Sequence, residues 1–94
     1  MSQGTHHMAS LEVLNRLGLH ARAAALLAET AARFQSDVTV RTDGEAVNAK
    51  SILELMLLAA TQGTRLEVRA VGADAREAVE AIGALVRARF HETE

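Results

Sequence analysis

The chain has 94 residues, two phenylalanines, no tyrosine, tryptophan, proline or cysteine, and a formal charge of −2 at pH 7 with histidine neutral. That length makes one domain with a modest aliphatic core. The composition excludes a disulfide framework and a thiolate metal site, and it lacks the basic face and stacking aromatics that nucleic acids require. No stretch approaches the roughly 20 apolar residues of a membrane span, and no secretory apolar region opens the chain, so a cytoplasmic protein with no membrane insertion is expected.

Residues 1–8 read as a tag or disordered leader, because His6-His7-Met8 resembles a cloning remnant before a native methionine and nothing there is periodic. A single domain is then expected over residues 9–90, followed by a charged tail at 91–94 in which His91 is solvated. Leu11-Glu12-Val13-Leu14 is a short strand with Leu11 and Val13 on one face, and Asn15 to Leu19 is a loop. Ala21 to Phe34 forms a helix with Ala23, Leu27, Thr30 or Ala31, and Phe34 on one stripe. Val38 to Thr42 alternates as a strand. Asp43-Gly44 signals a type I′ hairpin with Glu45 to Asn48 as the return strand.

Ser51-Ile52-Leu53-Glu54 fits a capping box. It opens a helix predicted to run to Thr61 or Gln62, with Gly63 as a left-handed exit. In the strand from Thr64 to Val71, Leu66, Val68 and Ala70 alternate with charged residues. Asp74 caps the last helix with Glu77 three residues on, and that helix buries Ala75, Ala78, Val79, Ile82, Leu85 and Val86. The order β-α-β-β-α-β-α predicts an α+β fold: an open-faced two-layer sandwich whose four-stranded antiparallel sheet is covered on one face by three helices.

Chemistry concentrates in Gly18-Leu19-His20-Ala21-Arg22-Ala23-Ala24. His20 stands at the mouth of an alanine-rich helix, whose first free N–H groups carry partial positive charge. That end disfavours a cation and suits an anion, so a phosphoryl group on His20 would be held by those N–H groups and by Arg22. The helix after Ser51 gives a second clue, since it is apolar nearly all round and a short helix in a two-layer domain buries one face. Leu55, Leu58 and Ala59 are assigned inward, and Ile52, Leu53 and Met56 form an outward patch of the kind that marks partner surfaces; a wider core is the alternative. The four histidines are too scattered for a metal cluster, and no cofactor is expected.

The segment from Gly18 to Ala24 resembles the active-site motif of the HPr family, the histidine-containing phosphocarriers of the bacterial sugar phosphotransferase system. Asp43-Gly44 with Val47-Asn48-Ala49-Lys50-Ser51-Ile52 resembles that family's region around a regulatory serine, and Gly63-Thr64 agrees at the last strand. The resemblance implies that His20 takes a phosphoryl group on Nδ1 from phosphorylated Enzyme I and passes it to sugar-specific EIIA components. Arg22 and the N–H groups near Ala21 would steady the phosphoryl oxygens, in keeping with the little else that such a transfer needs. It further implies Ser51 as the substrate of HPr kinase/phosphorylase, an ATP-dependent kinase, linking the protein to a transcriptional regulator and carbon catabolite regulation. Docking would use Ile52, Leu53 and Met56 with Ala21, Ala25 and Leu26 as neighbours. Such a protein is a monomeric carrier and not an enzyme, because its partners catalyse the transfers.

The sequence departs from the family motif at Ala23, where proline is usual. Alanine suits a first helical turn equally well, at the expense of some pre-organisation. Two other readings stand beside the carrier. One is an HPr-like regulatory binding module acting mainly through Ser51 and the Ile52/Leu53/Met56 patch. The other is a small-molecule-binding domain, which needs an enclosed pocket that a small aliphatic core does not favour.

Overall fold

Residues 5–93 are described in the computed structural model of the protein. Period-two alternation builds β1 (His6–Glu12), β2 (Asp37–Arg41), β3 (Val47–Asn48) and β4 (Arg65–Val71) into one antiparallel sheet of order β1-β4-β2-β3. The register sets Leu11 opposite Leu66, and Val40 opposite Val68 on the other side of β4, so the apolar rows coincide on one face. The opposite face is polar, and there Arg41 pairs across the strands with Glu67.

Three helices complete the domain: α1 (Ala21–Ala32), α2 (Ile52–Leu57) and α3 (Ala75–Arg87). The order is the expected β-α-β-β-α-β-α, and the α+β open-faced sandwich is the observed architecture. α3 lies across β1 and β4, and α1 packs against both other helices. Apart from Phe90 the core between the layers is aliphatic, with Leu27, Leu55, Leu66, Ile82 and four valines of the sheet and its extensions fully or nearly fully buried. Ala75, Ala78, Val79, Ile82, Leu85 and Val86 all face inward, as the spacing of α3 predicts.

Several boundaries differ from expectation, each for a physical reason. β1 begins at His6, so His6, His7 and Met8 belong to the sheet rather than to a leader: β4 supplies partners as far as Val71 for the early residues of β1. Residues 1–4 of that leader, and Glu94 of the tail, lie outside the described residues. No type I′ turn forms at Asp43-Gly44. Val40 pairs with Val47, β3 is only Val47–Asn48, and Gly44 is not among the positive-φ residues, so the connection is a wider loop.

α2 is also shorter than predicted and ends at Leu57. The chain beyond it is drawn into other hydrogen bonds: Leu19 N–H donates to the Ala60 carbonyl at 2.9 Å, and Gly63 N–H donates to the Val13 carbonyl at 2.8 Å. Ala59 takes a left-handed backbone at the break and is exposed, against its inward assignment. Gly63 does have the positive φ expected of it, although no helix ends there. Asp74 precedes α3 but does not cap it through its side chain. Its carboxylate instead accepts from the Gln35 and Ser36 N–H groups at 2.9 Å each and from the Ser36 hydroxyl at 2.5 Å, tying the start of α3 to the start of β2.

Candidate functional site

The loop before α1 is shaped by Gly18. Its φ is +71°, a left-handed value that favours glycine, and a Cβ there would lie 2.5 Å from the Ala60 carbonyl oxygen. That close approach lets Leu19 bond to Ala60 and joins the His20 loop to the segment after α2. His20 is the residue before the helix, in extended backbone. Ala24 N–H makes the first helical bond, to the His20 carbonyl at 2.8 Å. The amides of Ala21, Arg22 and Ala23 therefore precede the helical ladder, and no side chain caps them. Ala23 is fully buried in this turn, ahead of the first ladder bond, where proline in its place would lose no helical hydrogen bond.

Sequence reasoning missed what closes the site. Glu92, from the expected solvent tail, lies against His20 with its Oε2 2.5 Å from Nε2. Arg22 Nη1 donates to the same Oε2 at 3.1 Å and to the Phe90 carbonyl at 3.0 Å. Asn15, fully buried, donates from Nδ2 to Glu92 Oε1 at 3.0 Å and to the Gly18 carbonyl at 2.8 Å, and its Oδ1 is buried without a partner. Partial burial pushes the Glu92 carboxyl up, but bonds from His20 and Asn15 and the charges of His20 and Arg22 outweigh it and hold the carboxyl below its ordinary range.

The tail reaches this position by turning back at Arg89, Phe90 and His91, all with left-handed backbone. Phe90 anchors the turn in the core with no exposed surface, while His91 is exposed as expected. The folded unit thus extends through Glu92, beyond the boundary expected at residue 90. Nothing in the sequence flags Glu92: one charged residue among several near the terminus has no periodic signal, and Asn15 reads as an ordinary loop residue.

The other expected residues are placed as follows. Ser51 is half-buried at the start of α2, and its hydroxyl accepts from Glu54 N–H at 3.2 Å. The return half of the capping box is displaced, because the Glu54 carboxylate accepts from Asn48 N–H at 2.9 Å instead. Ser51 shares no hydrogen bond with the His20 cluster. Ile52, Leu53 and Met56 are exposed, as assigned, while Leu55 is buried and Leu58 half-buried. Leu57 and Leu17 enlarge the apolar surface beyond the predicted patch, at 73% and 63% exposure. Ala21 is exposed, and Ala25 and Leu26 are half-buried on α1. Among the described residues no group of three or more His, Asp or Glu side chains could hold a metal ion, and no helix is long and apolar enough to cross a membrane.

Fold and site together define a small open-faced domain that presents a histidine and an arginine at a helix N-terminus beside exposed aliphatic residues, an arrangement suited to carrying an anionic group between proteins. The sequence model of the family described as the PTS HPr component phosphorylation site matches residues 8–88. The phosphocarrier protein HPr of Xylella fastidiosa is 52% identical over 82 residues, which cover 87% of this chain and 92% of that protein. The HPr-like protein Crh of Bacillus subtilis is 48% identical over 77 residues, 82% of this chain and 91% of its own. The crystal structure of HPr-C-His from Thermoanaerobacter tengcongensis superposes with a TM-score of 0.90 at 40% identity, covering 94% of this chain and 99% of that one. The chain belongs to the HPr family of phosphocarrier proteins of the phosphotransferase system, and it is a carrier rather than an enzyme.

Proposed function

We propose that this carrier accepts a phosphoryl group on His20 from phosphorylated Enzyme I and passes it to sugar-specific EIIA components in the cytoplasm, acting as a monomer. The observation that carries the reading is His20 set immediately before the unladdered amides of Ala21, Arg22 and Ala23, with the Arg22 guanidinium at the same helix end. In-line transfer from a phosphorylated donor side chain to a free acceptor needs a positioned nucleophile and positive potential around the moving oxygens. In this reading His20 is the nucleophile, and the Ala21, Arg22 and Ala23 amides with the Arg22 guanidinium supply the potential. Ala21, Ala25, Leu26, Ile52, Leu53 and Met56 form the docking contacts in this reading, and exposed Leu17 and Leu57 extend them.

The test is incubation with phosphoenolpyruvate and Enzyme I. An acid-labile phosphate appears on the wild type and is absent from His20→Ala; its persistence in His20→Ala refutes the assignment. Leu53→Asp keeps the fold, since Leu53 is 70% exposed, and slows transfer through weaker docking.

Regulation at Ser51 by HPr kinase/phosphorylase, and through it contact with a transcriptional regulator in carbon catabolite control, is the second part of the proposal. Its support is the likeness to Crh and the position of Ser51 at a helix start, where the dipole favours an added phosphate. Phosphate on Ser51 without any transfer through His20 would favour a purely regulatory module instead.

A further inference from the structure

We propose that Glu92 is a positioning residue for phosphoryl transfer: by accepting the Nε2 proton of His20 it holds the imidazole with Nδ1 as the nucleophilic nitrogen. This inference rests on the reading of His20 as the phosphoryl acceptor through Nδ1, and specifies what selects that nitrogen. An ionised carboxylate only accepts hydrogen bonds, so a neutral imidazole facing Glu92 Oε2 at 2.5 Å carries its hydrogen on Nε2. The lone pair is then on Nδ1, and Nε2 is doubly shielded, by its proton and by the carboxylate. The conditions that hold Glu92 below its ordinary carboxyl range keep it in the accepting form at neutral pH.

The carboxylate is itself fixed from three sides. Buried Asn15 holds Oε1 at 3.0 Å, Arg22 holds Oε2 at 3.1 Å, and Phe90 pins the preceding turn in the core. Asn15 also bonds the Gly18 carbonyl at 2.8 Å, so one side chain ties the His20 loop and the tail together. A histidine ring oriented by a carboxylate on its far nitrogen is a general device for choosing tautomer and direction.

The chemistry balances without a proton moving. The Nδ1 lone pair attacks phosphorus, and the bond from phosphorus to the donor nitrogen breaks, with its electron pair leaving on the donor. Nε2 keeps its hydrogen, so the phosphorylated ring is an imidazolium whose charge the Glu92 carboxylate offsets at close range. Transfer onward reverses these steps at the next acceptor.

The test uses the full chain with 15N-labelled histidine and phosphoramidate as a small phosphoryl donor, so that no protein partner influences the outcome. Proton–nitrogen correlation spectra show which nitrogen carries phosphorus, and His20 signals are those missing from His20→Ala. The wild type is expected to give the Nδ1 isomer at His20. Glu92→Ala is expected to lower the preference for Nδ1 over Nε2 about tenfold or more, the scale of one charge-assisted hydrogen bond. Glu92→Gln retains most of it, because the amide oxygen still accepts from Nε2. An unchanged isomer ratio in Glu92→Ala overturns the proposal. So does a wild type in which the unmodified ring bears its proton on Nδ1, a measurement that needs no phosphorylation. If the isomer selection holds but Enzyme I does not phosphorylate His20, the carrier assignment fails while the positioning role stands.

Discussion

The C-terminal turn is where the structure makes its sharpest claim about stability, and Phe90→Ala probes it. Phe90 is fully buried, yet it sits in a turn where it and both neighbours are left-handed. Each such non-glycine residue costs roughly 1–2 kcal/mol, so the turn persists only because something outweighs that strain. Removing a buried phenylalanine ring costs about 3–5 kcal/mol once the cavity is included. Part of this is recovered as the turn relaxes, which leaves a net loss of about 2–4 kcal/mol. For a domain of this size that lowers Tm by roughly 10–25 °C. Calorimetry on wild type and Phe90→Ala reads the shift directly. The same variant frees Arg22 from the Phe90 carbonyl and loosens Glu92 from His20, so His20 amide and ring signals move although residue 90 is far away in sequence. A loss below about 1 kcal/mol would show that the polar contacts of Glu92, and not the Phe90 anchor, hold the tail, and would refute this reasoning.

Other expectations follow from the same contacts. Gly18→Ala forces a β-carbon against the Ala60 carbonyl at a left-handed position and should destabilise by about 1–3 kcal/mol or more in chemical denaturation, with a broadened His20 signal. Ala23→Pro occupies a turn position ahead of the first ladder bond and should raise stability by about 0.4–1 kcal/mol with transfer retained; a loss would show that the buried site has no room for the ring. The Ser36 hydroxyl, then the Gln35 amide, hold the Asp74 carboxyl below its ordinary value of 3.8. A depressed folded value means that stability is present above that ordinary value and is lost as pH falls through the folded one. Asp74→Asn should therefore flatten the acid limb of a stability-against-pH curve below about pH 4; an unchanged limb would remove Asp74 from the acid response.

The layered fold was legible because burial writes itself as periodicity. The alternation of Leu66, Val68 and Ala70 and the helical spacing from Ala75 to Val86 each admit one inward face, and those faces are the ones buried. The surplus apolar residues of α2 likewise had to remain outside, and Ile52, Leu53 and Met56 do. Less legible were the places where a local signal competes with a distant partner. Ser51 to Gln62 has the composition of a continuing helix, but Leu19 and Val13 draw its second half away to the loop before α1. Asp74 has the position of a cap, but Ser36 and Gln35 claim its carboxylate. His6 to Met8 carry no pattern of their own and become strand because β4 extends far enough to pair them.

The candidate site divides along the same line. His20 and Arg22 are two residues apart at the start of one helix, so the chain itself sets them at the same helix end, and the anion-favouring amides come with the helix. Glu92 and Asn15 are separated by 77 positions. Only the burial of Phe90 and the backward turn around it bring the carboxylate to Nε2. Local hydrogen-bond geometry acts over one turn and is written in adjacent residues. The choice between two nitrogens of one imidazole depends on a group delivered from the far end of the chain, and that delivery is decided by packing.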